Sequence, residues 1–484
     1  MVLNYKQNTN NVLYTKQELK TIFKDAKFFF VKQNFNIIKV AIDSREVNYG
    51  SLFFALKGEN YDGHIFIKNA IMSGAICIVA EYIPDNIKML IETNNINIII
   101  VKNTMDALTE LAKYNRNRIK SKVIAITGNI GKTSTRELIS NIMSKFFITA
   151  SSSKNYNNHI GLPYTLANTP INTDILVLEM GMNHLGEIEH LSKIAKPDIS
   201  IITTIAPAHV ESMIDVNTIV KAKAEIFKGM QQNGVVILNQ ENPYFNQLLE
   251  YAKKEGLKNI FTVGTEKSHI FIKNYSFKNF FQTNYTIAIN SKNDQELIDC
   301  NIIGLSYHNA FNTLFGFAVA RLFNIDLNKV SQIVSTIPIV EGRGNLEKIF
   351  TEGKHIQVIN DAYNSSPEAL KAAIRTLSVF SKQHPNSRAI AVIGDMLELG
   401  EKSIEYHNEI LEEIIKEGIK YVITVGKETK VIHDGLPNDY QKWHFEETNL
   451  LVKEIRHIIQ DGDILLFKAS HKLNFEVAIN KLRR

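Results

Sequence analysis

At 484 residues the chain is longer than a single growing core supports, so it divides into about three domains of ordinary size. Its composition, 44% apolar and 22% charged, is that of folded globular proteins and excludes a large disordered or fibrous part. The net charge of +5, from 55 basic and 50 acidic side chains, is not gathered into a Lys/Arg run, which argues against nucleic acid as a partner.

The opening MVLNYKQNTNN lacks the basic-then-apolar order of a signal peptide, and apolar runs such as 96–101 are far too short to span a membrane. Two distant cysteines, Cys77 and Cys300, offer neither a disulfide framework nor a metal spacing. A cytoplasmic location follows from these features.

Over residues 37–101 short apolar runs alternate with turn-rich segments, which predicts a small mixed α/β unit, closed by a helix over 105–119. KVIAITG, DILVLEMG, PDISIITTI and GVVILN follow, each nearly continuous in apolar residues, as buried parallel strands of a doubly wound sheet are. Residues 270–289 turn to aromatic and β-branched alternation, an antiparallel appendage, before a helix near Asn309. The Pro- and Gly-bearing stretch 336–344 reads as a linker. After it HIQVIN, RAIAVIG, YVITVG and ILLFK alternate with helical patterns from Pro367, Ser403 and Asn474, an open parallel sheet of Rossmann-like type. The fold class is therefore α/β in three domains: a small mixed α/β domain over 1–118, a central P-loop domain with a mainly parallel sheet over 119–337, and a C-terminal Rossmann-like domain over 338–484.

The strand KVIAIT runs into Gly128-Asn129-Ile130-Gly131-Lys132-Thr133 and then a helical segment from Ser134. Two glycines let backbone amides turn toward phosphate oxygens, and the helix N-terminus adds partial positive charge. Lys132 would reach the outer phosphates and the Thr133 hydroxyl would hold Mg²⁺. The general Walker form has glycine five positions before Gly131, where this chain has Ile126; its extra glycine is Gly128. A tight βα turn with a solvated lysine is the bland alternative.

Glu179 ends DILVLEMG, and a carboxylate at that end of a parallel strand faces the phosphate loop, able to bind Mg²⁺ directly or through water. His209 follows another buried strand on the same rim, where a lone histidine is more often structural or solvated. Lys223 shares a helical stretch with Lys221 and Lys228, and spacing alone does not separate a functional lysine from a basic solvated face.

Taken together, these segments resemble the Mur ligase family through nearly the whole chain. AITGNIGKTS is similar to its TG-x-x-GKT loop, VLEMGMNHLGEI and APAHVE to segments whose Glu and His bind magnesium, and KAEIF to one whose lysine is carbamylated. The resemblance implies Mg²⁺ ligation by Thr133, Glu179, His209 and a carbamylated Lys223, whose negative charge binds a cation that an ammonium would repel. GLSYHNAFN implies adenine contacts from Asn309 and Asn312; GRGN with Arg343 and NDAYNSSP with Asp361 resemble segments through which the last domain closes over ATP, and Tyr363 and Asn364 of the latter are expected to bind substrate.

DSREVNYGSLFFALKG implies a uridine-nucleotide site with Ser44 and Arg45. NYNNHIGLP, whose Asn157 and Asn158 are expected to bind substrate, and GDMLELGEKSIEYH, with Asp395, Glu398 and His407, resemble the dipeptide-adding type, and no Asp-Asn-Pro-Arg segment of the third-residue-adding type is present. LLFKASHKLNFE resembles a K-G-S-R segment with Ala469 and His471 in place of Gly and Arg. The resemblance thus implies an ATP- and Mg²⁺-dependent ligase, acting as a monomer, that joins D-alanyl-D-alanine to UDP-N-acetylmuramoyl-tripeptide through an acyl-phosphate. The alternatives are a third-residue-adding or folylpolyglutamate-type ligase, or a P-loop binding or regulatory protein that hydrolyses ATP slowly.

Overall fold

Runs of Ile, Val and Leu become the inner strands of three separate sheets. The computed structural model describes residues 12–29, 31, 34–58, 62–153, 156–206, 215–279, 282–291, 294–304 and 307–484. His209 and the opening eleven residues lie outside them.

The first sheet is ordered Lys27–Phe29, Asn97–Ile100, Ala75–Ala80, Ser51–Phe54, Lys39–Ala41, with only the Lys27–Phe29 edge antiparallel. The second has nine strands: Gln295–Ile303, Gln282–Asn290, Ile270–Asn279, Asn259–Gly264, Val235–Asn239, Ile199–Ile202, Lys122–Thr127, Ile175–Glu179 and Thr149–Ser151. From Ile270–Asn279 to Thr149–Ser151 neighbours are parallel, and the expected antiparallel appendage is there, one strand longer than read. The third sheet runs Asn345–Thr351, Lys354–Asn360, Ile464–Lys468, Ala389–Gly394, Tyr421–Val425, Gln441–Phe445, parallel except at its first edge.

The central Lys122–Thr127 strand shows why these runs look continuous. Ile124 and Ile126 face a core with Leu138, Ile142 and Phe315, whereas Val123 and Ala125 face another with Leu162 and Leu191. All four strand residues are wholly buried. Helices cover both faces, so no position is free to be polar, and each buried isoleucine stabilises by about 2 kcal/mol.

Besides Gln295–Ile303 and the short strands before residue 37, Thr149–Ser151, Asn259–Gly264, Asn345–Thr351 and Gln441–Phe445 escaped the sequence reading. Of the last four, all but Asn259–Gly264 are sheet edges and all carry partly exposed polar residues, so backbone pairing rather than apolar content makes them strands. The helix after the phosphate loop also begins earlier than expected, at Lys132 rather than Ser134, and runs to Met143.

The first sheet's core is completed by Tyr164 and Ala167 from the helix Gly161–Ala167 of the second unit. Tyr14 Oη donates to Ala167 O (2.7 Å), and the Asn168 amide bonds both the N–H (2.9 Å) and the C=O (3.1 Å) of Val40. Among the described residues no helix is long and apolar enough to cross a membrane.

Candidate active site

From Lys122–Thr127 the chain moves to one side of the sheet, through Thr149–Ser151 and Ile175–Glu179, and then crosses to Ile199–Ile202 on the other. Such a reversal opens a crevice at the carboxyl ends of the strands. The loop 128–131 fills its floor. Gly128 (φ 143°) and Gly131 (φ 86°) adopt backbone that glycine favours. A Cβ on Gly128 would meet Thr203 Oγ1 at 2.1 Å, and one on Gly131 would meet Asn312 Oδ1 at 2.9 Å. Thr204 O accepts from Asn129 N (2.7 Å) and Thr203 Oγ1 donates to Ile130 O (2.6 Å), pinning the loop to the neighbouring strand. Ile126 is a wholly buried strand residue, which explains why glycine is not needed there.

In the following helix, Thr135 N donates to Gly131 O (2.9 Å). The amides of Lys132, Thr133 and Ser134 precede it at the helix's positive end, a ready cradle for phosphate. Lys132 Nζ folds back onto the carbonyls of Gly128 (2.8 Å) and Asn129 (3.2 Å). Burial lowers its pKa and Arg343 adds to this, while Glu179 opposes both.

Glu179 lies in register with Ile126 and so emerges beside the loop. Only 3% exposed, it accepts from Thr133 Oγ1 (2.9 Å) and Asn157 Nδ2 (2.9 Å), with Arg136 Nε 3.9 Å away. Lys223, on the helix Val216–Ala224, is not on a solvated face: it is 3% exposed, whereas Lys221 and Lys228 are exposed. Burial and the Lys132 ammonium push its pKa well below the usual lysine range, partly offset by Glu179, Glu187 and Glu225. Among the described residues no three His, Cys, Asp or Glu side chains form a metal cage. The hard oxygens of Thr133 and Glu179 nonetheless fit Mg²⁺, which is commonly bound by one or two carboxylates with phosphates and water completing its shell.

The third sheet supplies the opposite wall of a cleft of about 540 Å³. Arg343, from the linker, reaches across to donate to Thr133 Oγ1 (3.1 Å), its guanidinium 4.2 Å from the Tyr363 ring centroid. Asp361 is paired with Lys468 (2.6 Å), which also donates to Asn364 O (3.1 Å). Asn309 and Asn312, on the helix Tyr307–Leu322, line the cleft beside Asn129 and Gly131. Asn129 Oδ1 and Nδ2, Asn309 Nδ2 and Arg343 Nε are buried without a hydrogen-bond partner, as groups awaiting a polar ligand are.

Other anticipated residues lie elsewhere. Ser44 is buried in the turn Ser44–Glu46, and Arg45 is exposed and paired with Asp43 (2.5 Å), outside the cleft lining. That turn adjoins the central unit through Tyr164 Oη, which donates to Glu46 (3.3 Å). Asn158 caps the next helix, accepting from the amides of Ile160 (3.1 Å) and Gly161 (2.9 Å). Asp395 and His407 are buried and bonded within the third unit, whereas Glu398 lines the cleft. Ala469 is wholly buried, and His471 meets the Tyr363 ring edge-on at 5.5 Å.

Two residues were missed. Arg136 is buried behind Glu179, and nothing in its helical spacing marks it. Lys468 ends the apolar run ILLFK, and the reasoning that found Glu179 at a strand end would have found it too.

The chain is similar to known proteins over most of its length. The description "Mur ligase family, catalytic domain" matches residues 36–116, "Mur ligase middle domain" residues 126–320, and "Mur ligase, glutamate ligase domain" residues 346–471. The "UDP-N-acetylmuramoyl-tripeptide--D-alanyl-D-alanine ligase" of Rickettsia prowazekii (strain Madrid E) is 33% identical, with 93% of this chain and 96% of that protein covered. The solved structure of MurF from Acinetobacter baumannii superposes with a TM-score of 0.83 at 26% identity, covering 97% of this chain and 98% of that one. MurF ligase from Thermotoga maritima, solved in complex with ADP, gives 0.76 at 26% identity, covering 92% and 97%.

Proposed function

The chain belongs to the Mur ligase family, and from that we propose that it joins D-alanyl-D-alanine to UDP-N-acetylmuramoyl-tripeptide at the expense of ATP. The observation that carries this reading is the meeting at Thr133 Oγ1 of the phosphate loop, the Glu179 carboxylate and the Arg343 guanidinium.

In this reading residues 119–337 bind ATP, 1–118 hold the uridine nucleotide through Ser44 and Arg45, and 338–484 close over the ATP. Gly128, Asn129, Gly131, Lys132, Thr133 and Ser134 cradle the phosphates; Asn309 and Asn312 face the adenine, and Asp361 with Arg343 closes the nucleotide from the third unit. Asn157, Asn158, Tyr363 and Asn364 serve the peptide substrates. Thr133, Glu179, His209 and Lys223 would hold magnesium, which when bound would offset repulsion between anions at the γ-phosphoryl group. Lys223 would carry a carbamate there, since a buried lysine of lowered pKa presents the neutral amine that adds to CO₂ with release of a proton.

The tripeptide's terminal carboxylate attacks the γ-phosphorus, forming an O–P bond as the bond to ADP breaks. Lys132 and Arg343 stabilise the charge on the transferring group, and the closed wall excludes water that would hydrolyse the acyl-phosphate. The dipeptide amine then attacks the acyl carbon, a C–N bond forms, and phosphate leaves. No nucleophile from the chain is required; positioning and electrostatics suffice. The enzyme works in the cytoplasm as a monomer, and its two buried free thiols suit a reducing compartment.

The test is phosphate release from Mg²⁺-ATP with the UDP-linked tripeptide, comparing D-alanyl-D-alanine with no amine and with single amino acids. Release that requires both tripeptide and dipeptide is expected. Release with the dipeptide omitted, or with another amine alone, would assign a different ligase or a slow ATPase.

A further inference from the structure

Arg136 is buried, only 2% exposed, on the helix Lys132–Met143. It lies one helical turn past Thr133 and so shares the face that meets Glu179. A cation withdrawn from water needs polar partners, and this one has them on separate elements. Its Nη1 donates to Ser152 O, its Nη2 donates to Glu137 Oε1 (2.5 Å), and its Nε lies 3.9 Å from Glu179 Oε2. Ser152, just past the edge strand Thr149–Ser151, is 1% exposed. Its N–H donates to Val177 O (3.1 Å) and its Oγ accepts from Glu179 N (3.3 Å). One guanidinium thus ties the helix behind the phosphate loop to the ends of two neighbouring strands, and the Glu179 carboxylate stands where they meet.

The contacts divide between the two oxygens of that carboxylate. Oε2 takes the Thr133 hydroxyl (2.9 Å) and faces the guanidinium, while Oε1 takes Asn157 Nδ2 (2.9 Å). Thr133 and Asn157 belong to the cleft lining, whereas Arg136 stands behind it, on the protein side of Glu179. Two opposed effects on a cation bound at Glu179 follow. The positive charge competes with a metal ion for the carboxylate and lowers affinity. The fixed contact keeps the carboxylate aimed at the cleft and raises it. Glu137 pairs the same guanidinium and offsets its charge, which leaves placement as the larger effect.

We propose that Arg136 is a positioning residue, holding the Glu179 carboxylate in the orientation that receives the divalent cation accompanying ATP. The proposal rests on the magnesium reading of Thr133 and Glu179 above. Two variants test it: Arg136→Met, which removes the charge and the hydrogen bonds but keeps much of the volume, and Arg136→Lys, whose ammonium can still reach Glu179. Each is titrated by calorimetry with a non-hydrolysable ATP analogue, with and without Mg²⁺, and assayed for dipeptide KM and Tm. Arg136→Met should bind the analogue roughly tenfold or more weakly with Mg²⁺ present, the cost of losing an outer partner of a metal ligand. Without Mg²⁺ its affinity, like its dipeptide KM, should stay within about twofold of wild type, because neither depends on the cation at Glu179. Arg136→Lys should recover Mg²⁺-dependent binding to within about threefold. Binding by the methionine variant that is unchanged or tighter with Mg²⁺ would overturn the proposal, and so would an equal loss in both arms, the mark of a merely structural residue. If methionine leaves the chain unfolded, Arg136→Gln is read in the same way. Unfolding of both, beside an Arg136→Lys that behaves as wild type, would also overturn the proposal and make the arginine a folding residue. Wild-type protein that binds the analogue equally with and without Mg²⁺ would instead overturn the magnesium reading, and this proposal with it.

Discussion

Replacing Lys132 by alanine separates catalysis from folding. Its Nζ bonds two carbonyls of its own loop at 2.8 and 3.2 Å, and burial with Arg343 nearby pushes its pKa down. The folded chain without ATP therefore holds this cation at some cost, and removing it should leave Tm unchanged within about two degrees or slightly raised. Turnover is another matter. In the proposed reaction Lys132 meets the charge that develops on the transferring phosphoryl group, and loss of one preorganised donor at such a position costs about 3 kcal/mol, a factor on the order of a hundred or more in kcat. The assay is phosphate release with saturating tripeptide and dipeptide, alongside a thermal melt. Lys132→Gln, which keeps a polar tip without charge, should lose nearly as much. Turnover within about threefold of wild type would refute the phosphate-loop assignment, and a collapse in Tm would show that the lysine serves the fold.

Lys223 gives a pH signature. Its folded pKa lies well below the ordinary 10.5, so between the two values the unfolded chain binds more protons and stability rises with pH. In CO₂-free buffer, wild-type enzyme should gain up to about 1.4 kcal/mol per pH unit over Lys223→Met across that window by urea denaturation, and parallel curves would show that Lys223 is not held neutral. Lys223→Ala should abolish activity, with partial rescue by acetate; full activity would remove it from the site. Gly131→Ala places a Cβ at 2.9 Å from Asn312 Oδ1 at φ 86°, costing about 1 kcal/mol of stability and raising the ATP KM; an unchanged KM would mean that the loop does not meet the nucleotide. Tyr14→Phe leaves Ala167 O unpaired where the first unit docks, and should cost about 1–3 kcal/mol in urea unfolding; no loss would mean that water replaces the hydroxyl.

Several features were written locally and could be read locally. The proposed phosphate loop is seven contiguous residues, 128–134, that would act mostly through backbone amides, so strand, glycines and helix start are visible in one stretch of sequence. Glu179 follows from a strand run that must end at the rim. The inner strands announce themselves because burial on both faces leaves only apolar residues possible. Edge strands carry no such constraint, and Gln441–Phe445 went unread for that reason.

What depended on packing was which side chains meet. Arg343 and Thr133 are 210 residues apart, and no local pattern couples them; the third unit's position over the second does. Lys221, Lys223 and Lys228 share one short basic stretch, yet helix geometry against the neighbouring elements buries Lys223 alone and thereby changes its chemistry. The same holds for Asp395, Glu398 and His407. Tertiary bonds turn the first and last into braces and leave the middle one on the cleft wall. Chain-local chemistry was fully determined by sequence, while charge, exposure and partnership came from contacts between units, because the free energy of an ionisable side chain is set by its surroundings in space.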